Sequence, residues 1–146
     1  MPQHDRLDLA RVLLARAIDD ETLVQKVSAD TEVADAIVGF HAQQAAEKLI
    51  KAVLAARGVA FIKSHALSYL VGLIEEHHID APPELSEADV LSPWAVEFRY
   101  EGEEPPAFDR PAALALVEKL RTWTEGQIET AEQPQDPQQP DADQPE

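Results

Sequence analysis

Thr31 to Gly58 reads TEVADAIVGFHAQQAAEKLIKAVLAARG, and its centre, Phe40-His41-Ala42-Gln43-Gln44-Ala45-Ala46-Glu47-Lys48-Leu49-Ile50-Lys51-Ala52, decides the fold. Ile37, Phe40, Ala45, Leu49, Val53 and Leu54 recur at helical spacing, which predicts one long helix over Thr31–Arg57. Ser28 and Asp30 stand before it as candidate N-caps, and Gly58 follows it as a C′ residue. Steps of three and four set Phe40, Gln44, Glu47 and Lys51 on one line, with His41, Ala45, Lys48 and Ala52 beside it. Small alanines between long polar side chains admit a second helix at close range. The polar groups then either meet at a groove or subunit interface, or form a solvated face with pairs such as Glu47–Lys51.

Working outward, the same period recurs. Leu7, Leu9, Val12, Leu13, Ala17 and Ile18 form an apolar stripe over about Asp5 to Asp20, and the pattern resumes from Leu23 to Val27. A third helix is expected from Ser64 or His65 to about His77, through Leu67, Leu70, Val71 and Ile74. Ala81-Pro82-Pro83 breaks the chain. Ser86, with Asp89 three residues on, opens a fourth helix in the manner of a capping box, and Pro93 must kink it, divide it or start a new turn. After a loop from Glu101 to Phe108, Asp109 caps the last helix, whose stripe is Leu114, Val117, Leu120 and Trp123. No alternating strand pattern occurs. The fold class is therefore all-α, an up-and-down antiparallel bundle of about five helices over residues 1–131.

Residues 132–146, EQPQDPQQPDADQPE, carry five acids and no base, a composition expected to stay disordered. The whole chain has 12 Lys and Arg against 28 Asp and Glu, a net charge of −16. Such a body repels phosphates at long range, which argues against general DNA binding. Cysteine is absent, which excludes disulfides and thiolate chemistry. Neither a signal-peptide pattern nor a membrane-length apolar run is found, so a cytoplasmic protein is expected. Ser nucleophile elbows and Gly-rich phosphate loops are missing, and no cofactor is called for. Glu75 and His78 have a Glu-x-x-His spacing, but a di-iron site needs a second such pair, so no metal is expected.

His41-Ala42-Gln43-Gln44-Ala45-Ala46-Glu47-Lys48, continuing to Lys51-Ala52, resembles the signature second helix of the HEPN domain family. Lys63-Ser64-His65-Ala66-Leu67 resembles that family's opening of the third helix, and Phe98-Arg99-Tyr100 the Arg-Tyr that closes its fourth. The resemblance spans about residues 5–130. It implies a homodimeric helical bundle associated with nucleotides or RNA, often paired in bacteria with a minimal nucleotidyltransferase in a toxin–antitoxin module.

The resemblance also marks a departure. Ribonuclease members place a His four to six residues after the Arg, but Arg99 is followed by Tyr100-Glu101-Gly102-Glu103-Glu104-Pro105-Pro106, and no His occurs after His78. RNA cleavage needs a group that moves the 2′-hydroxyl proton and a cation at the phosphate, and Arg99 alone supplies the second. The expected function is a nucleotide- or RNA-associated regulatory protein without catalysis, its ligand held by Gln44, Glu47, Lys48, Lys51, Lys63, His65, Arg99 and Tyr100. Two alternatives stand beside it: a divergent ribonuclease toxin using Arg99, and a helical module whose polar stripe only specifies dimer register. His65 either orders the third helix or joins the groove. Arg99 either clamps a phosphate or pairs with Glu47 or Glu97.

Overall fold

The computed structural model describes residues 2–95 and 107–133. Four α-helices and one 3₁₀ helix account for the regular structure there, and no strand occurs among the described residues. Helix α1 spans Gln3–Val27, α2 Asp35–Ala56, α3 Leu67–Glu76 and α4 Arg110–Glu132. The 3₁₀ segment is Pro83–Trp94. The helical bundle expected from periodicity is the one observed. The Phe98-Arg99-Tyr100 motif, most of the loop after it and nearly all of the predicted tail lie outside the described residues.

α1 does run straight on, because nothing between Asp20 and Leu23 breaks it. It lies antiparallel beside α2: Asp20 meets His41 at one end, and Arg6 meets the Gly58 turn at the other. Ala10, Ala17 and Val24 of α1 face Ala45, Ala52 and their neighbours on α2, and small side chains let the two backbones come close. α2 also touches α3, α4 and the 3₁₀ segment, so it is buried around most of its circumference, with Leu49, Ile50, Val53 and Leu54 at 1% exposure or less. A fully buried leucine of this kind contributes about 2–3 kcal/mol through the area withdrawn from water.

α2 starts at Asp35, four residues later than predicted, and its N-cap is Ala34, without a side-chain bond. The Asp30 carboxylate instead accepts from the Glu32 amide, closing a local turn that competes with helix. Arg110 supplies what the caps do not. Its guanidinium donates to the carbonyls of Val27, Asp30 and Val33 and to the Asp35 carboxylate, tying the α1–α2 connection to the start of α4. At the far end Gly58 (φ 72) closes α2 as predicted: its amide reaches Ala55 O at 3.1 Å and the Val59 amide reaches Leu54 O at 2.9 Å. This is the Schellman pattern. His78 (φ 53) ends α3 in the same way, with Ile79 N on Ile74 O at 3.1 Å.

The fourth predicted helix is the main difference. Pro83–Trp94 winds as 3₁₀, and Ser86 does not cap it, since its hydroxyl donates to Pro83 O while Asp89 accepts from Ser92. Pro93 has no N–H and clashes with the carbonyl four residues back, so an α ladder cannot pass through it. At three residues per turn, Leu85, Ala88, Leu91 and Trp94 stack on one ridge, and all four are buried. Gly39 of α2 receives the last of them. A Cβ there would stand 2.6 Å from Trp94 Cδ2, so only glycine lets the indole lie on the helix. Asp109 caps α4 as expected, its carboxylate accepting from the Ala112 amide at 3.0 Å. The α4 core line is Leu116, Val117, Leu120, Thr124 and Ile128, while Leu114 and Trp123 are half-buried at its edge.

Candidate functional site

α2 leaves one line open to solvent: Ile37, His41, Gln44, Lys48 and Lys51, at alternating steps of four and three. Because α1 runs antiparallel, it brings Asp20 against this line, and the connection from α2 to α3 folds back to bring His65. Two hydrogen-bonded groups result, side by side on one face.

The first centres on Asp20, whose side chain is 13% exposed. Its Oδ1 accepts from His41 Nδ1 at 2.9 Å, and its Oδ2 accepts from Lys48 Nζ at 2.6 Å. One carboxylate thus bridges two residues of α2 that stand two turns apart. The second group centres on Glu47, which is 3% exposed. Its Oε1 accepts from His65 Nδ1 at 2.8 Å, and Lys51 Nζ lies 3.6 Å from its Oε2. Gln43, fully buried, donates from Nε2 to the His65 carbonyl at 3.2 Å and accepts from Gln44 Nε2 at 2.8 Å. A buried amide left unpaired costs about 1–3 kcal/mol, so these bonds hold the His65 backbone where the Glu47 carboxylate can reach its ring.

The chemistry follows from the acceptors. A carboxylate only accepts, so both imidazoles carry their proton on Nδ1 and present Nε2 as a lone pair when neutral. The His65 side chain is 76% exposed, although its partner is buried. The two carboxylates and two ammonium groups cancel in charge. Phe40 packs edge-on to His41 with ring centroids 5.3 Å apart, which closes one flank.

Of the residues singled out from sequence, Gln44, Glu47, Lys48, Lys51 and His65 come together. Lys63 is exposed on the same connection, with no bond to this group. Arg99 and Tyr100 lie outside the described residues. Glu47, one of the two carboxylates expected for Arg99, is occupied by Lys51 and His65. His65 pairs with Glu47 of α2, while in the turn before α3 the Ser64 hydroxyl accepts from the Ala66 amide. Sequence reasoning missed Asp20. Its only trace is an acid interrupting the apolar pattern of α1, and nothing local says which helix it faces.

A second buried carboxylate stands next in sequence and points the other way. Glu21 Oε1 accepts from Arg121 Nε of α4 at 2.7 Å, while its Oε2 is buried without a partner among the described residues. Burial pushes the Glu21 carboxyl above its usual range, against the pull of the Arg121 charge. His4, Asp5 and Asp8 bring potential metal-ligand atoms within 4.8 Å of one another, but all three are exposed and Asp8 already holds Arg11.

The HEPN domain family model matches residues 10–127, which takes in α1 from its third turn, α2, α3 and most of α4. No curated protein and no solved structure matches the chain. No described helix is long and apolar enough to cross a membrane.

Proposed function

The chain belongs to the HEPN domain family, and from that premise we propose that it is a binding and regulatory protein for RNA or a nucleotide, acting through the open face of α2 without catalysing a reaction itself. The observation that carries this reading is the convergence of Gln44, Lys48, Lys51, His41 and His65 on one face of an otherwise acidic molecule. Lys48 is held by Asp20 across the face, and Lys51 by Glu47 one turn back on the same helix. An incoming phosphate exchanges with Asp20 for Lys48, and the Gln44 amide and histidine Nε2 atoms supply polar contacts to base or ribose. The protein acts as a homodimer beside a nucleotidyltransferase-like partner in a toxin–antitoxin-like module, with Lys63, Arg99 and Tyr100 as further ligand-binding residues.

Fluorescence anisotropy with a short labelled single-stranded RNA, and separately with a labelled nucleotide, tests the reading. Lys48→Gln with Lys51→Gln is expected to weaken binding about 10-fold or more and to flatten its salt dependence by about one unit of slope per lysine. Unchanged affinity in the double variant removes the face from the function. Sedimentation equilibrium checks the dimer.

One observation favours a second reading, a divergent ribonuclease using Arg99. His41 and His65 are each anchored at Nδ1 by a carboxylate, the arrangement that holds an imidazole ready to take a proton at Nε2. RNA cleavage that is lost on both Arg99→Ala and His65→Gln supports this reading over the first.

A further inference from the structure

The connection that carries His65 to the polar face begins at the opposite end of α2. There Arg6, Leu9, Ala55, Gly58, Val59 and Phe61 border a cavity of about 350 Å³. Apart from Arg6, its side-chain lining is hydrocarbon. Gly58 makes room for that side chain, because a Cβ on Gly58 would stand 2.2 Å from Arg6 Nη1.

Arg6 is without a partner among the described residues. Its side chain makes no hydrogen bond or ion pair with any described residue, and its Nε is buried with no acceptor. The chain has 28 acids for 12 bases, and Arg11, Arg110 and Arg121 each hold a carboxylate. A half-buried guanidinium left over in so acidic a chain, beside an apolar cavity, marks a place where the missing acceptor comes from outside.

The chemistry narrows what it is. Guanidinium is a permanent cation whose donors form a planar fork, and its best match is two acceptor oxygens side by side. One cation balances one negative charge, and the surrounding acidic body disfavours a second. The remaining side chains offer apolar surface only, so a further polar group would gain no side-chain partner there. We propose that the cavity binds a small apolar monocarboxylic acid, its carboxylate on Arg6 and its hydrocarbon body against Leu9, Val59 and Phe61. A volume near 350 Å³ lies in the range of small-molecule pockets. The site is separate from the polar face: about 20 Å of α1 lies between Arg6 and Asp20 at 1.5 Å per residue.

The test is an NMR titration of the full chain, following the methyl groups of Leu9 and Val59 and the ring of Phe61. Hexanoate, 1-hexanol and acetate are the three probes. Hexanoate is expected to shift these signals saturably. Hexanol, with the same body and no charge, binds at least about 10-fold more weakly, and acetate, with the charge and no body, gives no saturable shift. Arg6→Gln is expected to reduce hexanoate affinity about 10-fold or more and to leave hexanol unchanged. No saturable shift with hexanoate, hexanol binding as tightly as hexanoate, or full hexanoate affinity in Arg6→Gln overturns the proposal. The comparison of hexanoate with hexanol uses the unaltered protein and stands whatever Arg6→Gln does to folding. Lys48 and Lys51 are untouched, so either outcome leaves the RNA reading to its own experiment.

Discussion

Single residues in this fold are decided by what lies across from them, and two glycines on helices show it. Alanine is about 1 kcal/mol better than glycine inside a helix, so Gly126→Ala, where an added Cβ meets nothing within 4 Å, is expected to raise stability by about 0.5–1 kcal/mol. Gly39→Ala has the same propensity gain, but its Cβ meets the Trp94 indole, and overpacking of this kind costs about 1–3 kcal/mol. Urea denaturation of the two variants should give opposite signs, and a stabilised Gly39→Ala would show that the indole is free to move away. Glu21 makes a pH prediction. Its folded pKa is raised by burial above the usual carboxylate range, so in the window between the unfolded and folded values the native state holds more protons than the unfolded chain. Stability from this group is therefore present at the acid end of the window and lost as pH rises through the folded pKa. Glu21→Gln removes that loss. The stability of the variant relative to the unaltered protein should improve as pH rises through that window, and a difference independent of pH would contradict the assignment. At this scale the sequence was informative about residue types and about pairs within one helix such as Glu47–Lys51, and silent about partners on other elements. Gln44, Glu47, Lys48 and Lys51 share a face because helical spacing alone puts them there. Asp20 joins them only through the register between α1 and α2.

At the scale of elements, helix ends and turns carry the readable signals. Gly58 and Asp109 were legible because each acts on amides within three residues of itself. His78 takes the left-handed role usually given to glycine, and His78→Gly is expected to gain up to about 1 kcal/mol by relieving that backbone, as read by thermal or urea unfolding. A loss would mean that the imidazole contributes more than the strain costs. The α1–α2 connection has no local cap and depends on Arg110, 75 positions from Asp35 in the chain. Arg110→Ala leaves several carbonyls without their donor, with a cost of about 2–3 kcal/mol and faster amide exchange over residues 28–34. Exchange unchanged in those residues would place the restraint elsewhere. The 3₁₀ segment is the instructive miss. Leu85, Ala88, Leu91 and Trp94 recur strictly every third residue, which is a 3₁₀ period and a poor α period, and Pro93 forbids the α alternative.

The whole molecule is shaped by one central helix and by a large excess of negative charge. α2 packs against α1, α3, α4 and the 3₁₀ segment, so damage to it spreads through the entire core. Charge acts globally in a different way. A net charge of −16 repels itself most in the compact state, and the Debye length falls from about 30 Å at 0.01 M salt to about 8 Å at 0.15 M. Raising NaCl across that range is expected to raise Tm by several degrees, while a fall would mean that the surface ion pairs outweigh the repulsion. The sequence by itself determined that the chain is all helical, where most helices run, which face of α2 is polar, and which family it belongs to. These rest on local periodicity, on end signals and on a motif within one helix, all of which act between residues a few positions apart. Only the tertiary structure decided that Asp20 holds His41 and Lys48, that Glu47 holds His65, that Arg110 ties the first connection down, and that Arg6 is left beside an apolar cavity with no partner among the described residues. Those facts depend on antiparallel register and on the path of the α2–α3 connection. Distances of a few ångströms between residues 18 to 83 positions apart are set by packing, and no local pattern encodes them.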